Sequence, residues 1–235
     1  MNIFYLDTDP RVAAEAHCDK HVVKMILEYG QLLSTAHRLI DGTPTPFEWT
    51  DMRLNSKLQL VEKKHKKILY LMPGESARIV PDVTYLDEIQ EGVPLEQRKV
   101  IELHGSELYL ASHQQHPSGI WCRQNFRQYE WLYHLFVDLL SEYTHRYGKV
   151  HKAASLKPIL GMAPKGIRHG DYQDPPQCMP EEFKDNDAVT AYQNLYVGSK
   201  ARFARWTNRQ PPEWFINRTE NYDATHFTRT RAVVL

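Results

Sequence analysis

Residues 9–42 read DPRVAAEAHCDKHVVKMILEYGQLLSTAHRLIDG, and the periodicity inside that stretch sets the expected fold. Asp9 supplies an N-cap oxygen, and Pro10 suits the first helical position because its missing amide proton would have no partner there anyway. Cys18, Val22, Met25, Tyr29, Leu32 and Ala36 recur at steps of three and four. That is one apolar helix face, widened by Val23, Ile26, Leu27 and Leu33. One helix from about residue 10 to Ile40, stopped by Asp41-Gly42, is expected at the centre of the core.

Beside that face runs a polar stripe of His17, His21, Lys24, Glu28 and Gln31. Ionisable groups against an apolar helix are costly unless they pair or line a cavity. His21, Lys24 and Glu28 are spaced so that each reaches the next. A His, a Lys and a Glu on one face can supply a general base, a charge stabiliser and an orienting partner. These three are the candidate catalytic residues; the plain alternative is a solvated edge of ion pairs. His17 and His21 have the spacing at which two imidazoles meet one metal. Two ligands are too few to choose a metal, so no metal site is assigned.

Outward from this helix, residues 54–72 predict a second helical stretch after a turn-rich connector at 43–50. Residues 75–107 carry eight acidic against three basic side chains and predict an irregular insert. Residues 111–121 read as a loop. Residues 123–147 predict a long helix with an apolar ridge of Phe126, Leu132, Phe136, Leu139 and Tyr143, ended by Gly148. Residues 155–182 are rich in Pro and Gly and read as an extended loop. Residues 186–209 predict a third helix, followed by a loosely packed tail.

The chain has 235 residues and no formal net charge, with 29 basic and 29 acidic side chains. A strongly basic DNA-coating protein is excluded, but a local basic surface is not. Residues 141–170 hold six Lys/Arg and one acid. Arg123, Arg127, Arg146, Lys149, His151, Lys200, Arg205 and Trp206 are the candidate nucleic-acid-binding residues. Basic groups beside aromatic rings suit a phosphate backbone and unstacked bases. Lys63, Lys64, Lys66 and Lys67 add another basic cluster. The polar stripe is expected to open onto a cleft lined by Arg123, His151 and Trp206. Cys18, Cys122 and Cys178 are too few and too far apart for a disulfide framework. No signal peptide or membrane span is read, and a cytoplasmic location is expected. P-loop, GxGxxG, GxSxG and HExxH motifs are absent, so the sequence names no cofactor.

The runs LDTDPRVAAEAHCDKHVVKMILEYGQLLSTAHR, HPSGIWCRQNFRQYEWL, EYTHRYGKVHK, QCMPEEF and AVTAYQNLYVGSKARFARW resemble a family of uncharacterised tailed-phage proteins. The layout is also similar to the endonuclease V type of pyrimidine-dimer DNA glycosylase, in which a helix Glu supports base excision. That resemblance implies Glu28 as the matching group. It also implies an N-terminal amine on a small residue, from which Asn2 departs because its bulk leaves Met1 in place. Lys24 is the substitute nucleophile if desolvation activates it.

The expectation is a mainly α, single-domain, helical bundle-like fold over 1–235, with long loops and an irregular acidic insert at about 75–110. Three functions stay open. One is a phage enzyme acting on modified or damaged pyrimidine bases in DNA, by excision or group transfer. The second is a non-catalytic nucleic-acid-binding or host-interaction protein. The third is a small-molecule enzyme acting on nucleotides or amino acids. DNA is the expected partner, and the oligomeric state is not specified.

Overall fold

A computed structural model describes residues 2–82 and 95–219. The N-terminal residue, the middle of the acidic insert and the tail after residue 219 lie outside the described residues, and with them the expectations about Met1 and most of the tail.

The helical elements are α1 (Pro10–Ala16), α2 (Asp19–Asp41), α3 (Pro117–Cys122), α4 (Phe126–Tyr147), α5 (Lys157–Leu160) and α6 (Ala188–Leu195). Between α2 and α3 stand four strands: β1 (Thr43–Leu54), β2 (Leu60–Leu71), β3 (Ser76–Pro81) and β4 (Lys99–His104). They form two antiparallel two-stranded sheets, β1–β2 and β3–β4. The fold is therefore mixed α/β, and the mainly α expectation is corrected.

The core joins the N-terminal segment, α1, α2 and α4. Ile3 and Leu6 are fully buried with Val22, Ile26, Leu33, Leu132, Leu135, Phe136 and Leu139. The Asp9 carboxylate accepts from the backbone N–H groups of Arg11 and Val12 and caps α1 as expected. The expected single helix breaks at His17–Cys18, where the backbone is extended. The break has tertiary causes. The Asp19 backbone N–H donates to the Arg205 carbonyl at 2.8 Å instead of to a carbonyl of α1. Trp206 Nε1–H takes the Ala16 carbonyl at 3.1 Å.

The largest correction falls on residues 43–72. Their Lys, Glu and Leu favour helices, but propensity is a weak prior that tertiary pairing overrides. Pro44 and Pro46 suit a strand edge and not a helix interior. Across the ladder Glu48 meets Lys66 at 2.7 Å, and the Trp49 and His65 rings stack with centroids 4.9 Å apart. The turn between the strands holds Leu58 at a positive φ of 58°.

One buried side chain fastens this β region to α2. Arg38 is fully buried. Its guanidinium donates to the carbonyls of Tyr70, Leu108 and Tyr109, to the Ser106 hydroxyl and to both oxygens of Glu75. Burial alone would push the Glu75 carboxyl up. The hydrogen bonds from Arg38 and from the Met72 N–H outweigh it, and the carboxyl sits below its ordinary pKa.

Two further expectations are corrected. The third helix is α only over Ala188–Leu195; it then widens to a π turn at Tyr196–Lys200 and tightens to a 3₁₀ turn at Ala201–Phe203. Gly198 permits this, since a Cβ there would stand 2.4 Å from Cε1 of Phe183. The stretch read as a loop at 111–121 carries the start of α3, with His116 Nδ1 accepting from the Ser118 N–H as N-cap.

Candidate active site

Helix α2 places the polar stripe along its N-terminal half, and the stripe divides into two environments. His17, just before the helix, is fully buried. Its Nδ1–H donates to the Ala13 carbonyl at 2.6 Å, so Nε2 is the lone-pair nitrogen, and it faces the Tyr29 hydroxyl at 3.4 Å. The Tyr29 oxygen in turn accepts from the Phe4 N–H at 2.9 Å. Burial, opposed in part by the Ala13 bond, brings the His17 pKa down to about 4. Both ring nitrogens serve the packing of the N-terminal segment, which removes His17 from the paired-imidazole reading.

His21 is 7% exposed. The Phe4 ring stacks on its imidazole with centroids 4.2 Å apart and planes 15° apart, and the rings of Tyr196 and Phe203 close two edges. The Tyr196 hydroxyl stands 2.5 Å from Nδ1. Burial holds the Tyr196 proton well above its ordinary pKa. When the hydroxyl donates to His21 Nδ1, the ring proton lies on Nε2. Burial, then the charges of His17, Lys200 and Lys24, brings the His21 pKa down to about 3. At neutral pH His21 is an uncharged imidazole.

Cations surround this ring. Lys20 Nζ lies 4.7 Å from the Phe203 centroid, a cation–π contact. Lys24 is ion-paired to Glu28 at 3.0 Å, with 68% of the lysine side chain and 15% of the glutamate side chain exposed. Lys24 thus stands in water as the partner of Glu28, and the desolvation that would make it a nucleophile is missing. Burial pulls the His116 pKa down, and the Glu28 charge acts against it.

The three residues expected to line a cleft, Arg123, His151 and Trp206, each have local structural partners. Trp206 is 9% exposed and anchored to Ala16. His151 caps a 3₁₀ turn through Ala153 N–H and packs edge-on against Tyr143. Arg123 is half-buried, donating to the Gln114 carbonyl at 2.7 Å, while its Nη1 is buried without a hydrogen-bond partner. Arg146 is also corrected as a nucleic-acid contact: its side chain is fully buried and paired with Glu142 at 2.6 Å and Asp19 at 2.9 Å. Arg127, Lys149 and Arg205 are exposed, and Lys200 is half-buried beside His21. Two hollows of about 520 and 340 Å³ lie on the α1 side, both lined by Glu15 and Arg209.

Sequence reading missed Phe4, Lys20, Tyr196 and Phe203. Phe4 sits in the short apolar run at 2–6, and Tyr196 in the run AVTAYQNLYVGSK, but no spacing links either to α2. No protein-family model, no curated protein and no solved structure matches the chain.

Among the described residues, no helix is long and apolar enough to cross a membrane, and no group of three or more metal-ligating side chains is assembled.

Proposed function

We propose that the protein is an enzyme acting on pyrimidine bases in DNA, by excision or group transfer, with α2 as the reacting face. The observation that supports this most is a neutral imidazole held in an aromatic cage, with Lys20 over the Phe203 ring and the charges of Lys24 and Lys200 acting on the imidazole. A cationic rim attracts phosphates. An uncharged ring among aromatic side chains suits a base taken out of the duplex stack. In this reading the His21 N–H hydrogen-bonds charge that develops on the base. Glu28 moves the proton, and Lys24, ion-paired to it, holds it in place. The similarity of layout to pyrimidine-dimer glycosylases points to the same substrate class.

The test uses duplexes carrying a pyrimidine dimer or a modified pyrimidine, with mass spectrometry of the released bases and nucleosides. The wild type is expected to give product. Glu28→Gln and His21→Gln are expected to stay folded, to bind DNA and to lose roughly 10²-fold or more of turnover. Wild-type turnover in both variants removes the assignment.

Binding without chemistry is the second reading. It is favoured by the exposure of Lys24, which leaves the lysine as a surface charge. Salt-dependent DNA binding with no product from any duplex would support it.

A further inference from the structure

The β1–β2 hairpin is a long two-stranded arm. Its strands pair residue for residue from Thr43↔Leu71 to Leu54↔Leu60. Twelve residues a strand give a length of roughly 40 Å at about 3.4 Å per residue. The arm springs from Gly42, at the C-terminal end of α2, about 20 Å along that helix from Glu28 at 1.5 Å per residue. Among the described residues, β2 pairs with no strand other than β1.

The arm's charges are unevenly neutralised. Glu48 is tied to Lys66, and the buried Asp51 to Arg53 at 2.7 Å and to the Lys99 N–H at 2.9 Å. Lys57, Lys63, Lys64 and Lys67 are exposed and, among the described residues, carry no ion pair. Alternation sends Lys63 and Lys67 to one face of the ribbon and Lys64 to the other. Pro44, Pro46 and Ile68 lie open on the Lys64 face. In the neighbouring hairpin Glu102 is bound by Arg78 at 2.8 Å and Glu96 by Arg98. Among the described residues, Glu96 and Glu102 of the insert are paired within it and Glu75 is taken by Arg38, whereas Lys63, Lys64 and Lys67 of β2 carry no ion pair.

We propose that the β1–β2 arm is a DNA-docking ribbon, seated in the major groove of a duplex whose reacting base lies at α2. A groove about 12 Å wide admits a two-stranded ribbon, and lysines on both faces then meet both flanking backbones. A lysine on a free strand also keeps sheet edges from pairing with other chains. That purpose is served on the edge and does not call for cations on both faces. The choice of DNA as the occupant rests on the function proposed above; the charge distribution and the shape do not.

The experiment measures binding of a 20-base-pair duplex by fluorescence anisotropy across a salt series, for the full-length wild type and the variant Lys63→Gln/Lys64→Gln/Lys67→Gln. The three side chains are exposed, so an unchanged thermal midpoint is expected. The slope of log K against log salt is expected to fall by about 2–3, with roughly 10- to 100-fold weaker binding near 0.1 M salt. An unchanged slope and affinity overturn the proposal, as does a variant that only aggregates faster while binding normally. Turnover separates the two ideas. Wild-type turnover with an unchanged slope removes the arm and keeps the enzyme. A reduced slope with no turnover on any pyrimidine substrate keeps the arm and removes the enzyme.

Discussion

Tyr196 places its hydroxyl 2.5 Å from Nδ1 of His21, joining residues 175 positions apart in the chain. With the hydroxyl as donor the bond holds the imidazole proton on Nε2, and so sets what the ring offers to a ligand. It also ties the π turn after α6 to the start of α2, so the widened turn and the site depend on each other.

Tyr196→Phe keeps the ring and removes the hydroxyl. Nδ1 is then left buried without its donor, at a cost of about 1–3 kcal/mol. Urea unfolding is expected to show that loss with an unchanged m-value. Nitrogen NMR of the imidazole is expected to change from a single Nε2–H tautomer to a mixture. A single Nε2–H tautomer and full stability in the variant would show that the phenol does not set the ring.

Three histidines make the fold acid-sensitive above the carboxylate range. Burial lowers His17 to about 4, His21 to about 3 and His37 to about 4, against 6.5 in an unfolded chain. The His37 Nε2 is also engaged by the Tyr129 hydroxyl at 2.8 Å. Because the folded values are the lower ones, the unfolded chain binds more protons below pH 6.5. The stability that neutral histidines provide is complete above that pH and is lost as the pH falls towards 4. Each group loses about 2 kcal/mol by pH 5. Three such groups remove much of an ordinary domain's margin. Thermal midpoints are expected to drop steeply between pH 7 and 5, and to drop less in His37→Gln. A flat midpoint over that interval would contradict the burial argument.

Arg38 and Glu75 form a buried pair on which the β region hangs. Removing one partner of such a pair costs about 3–5 kcal/mol, since the other is left charged and buried. Arg38→Ala strips six hydrogen bonds. Arg38→Lys restores the charge without the planar fork that reaches them. Both variants are expected to destabilise the protein, with limited proteolysis cutting first within residues 43–107. Protection equal to wild type in that segment would mean that the strands are held by other contacts.

The helical half of this structure was legible because its signals are local. Asp9-Pro10 opens α1, Gly148 closes α4 at a positive φ of 62°, and the three-four repeat from Val22 to Ala36 is the buried face of α2. The β half was hidden because Leu60–Leu71 is rich in helix-favouring residues and takes its shape from a partner strand. The polar stripe was legible as a set of residue types but not as a set of environments. Its spacing is the same for the caged His21 and the exposed Lys24; burial is decided by Phe4, Tyr196 and Phe203, which come from other segments. Arg146 was misread for a related reason. An arginine near the end of a helix is ordinarily a surface cation, and only the return of the chain at 205–209 encloses it.

That return is held by Glu142, whose two oxygens accept from Arg146 Nε at 2.6 Å and from Arg209 Nε and Nη2 at 2.6 and 2.7 Å. Arg146 also reaches Asp19 and the Glu15 carbonyl, and Asp19 accepts from the Thr207 N–H and hydroxyl. Burial alone would push the Glu142 carboxyl up, but the two guanidiniums hold it below its ordinary value. Glu142→Gln keeps the shape and deletes the charge, leaving Arg146 a buried cation whose remaining anionic partner is Asp19. A loss of about 3–5 kcal/mol is expected. Trp206 is anchored beside this network, so its fluorescence is expected to redden at lower urea than the helical circular dichroism changes. The comparison is Arg11→Ala, which removes an exposed pair to Glu15 at 3.4 Å. That change is expected to stay within about 1 kcal/mol. Equal losses in the two variants would mean that the Glu142 network carries no more weight than a surface ion pair.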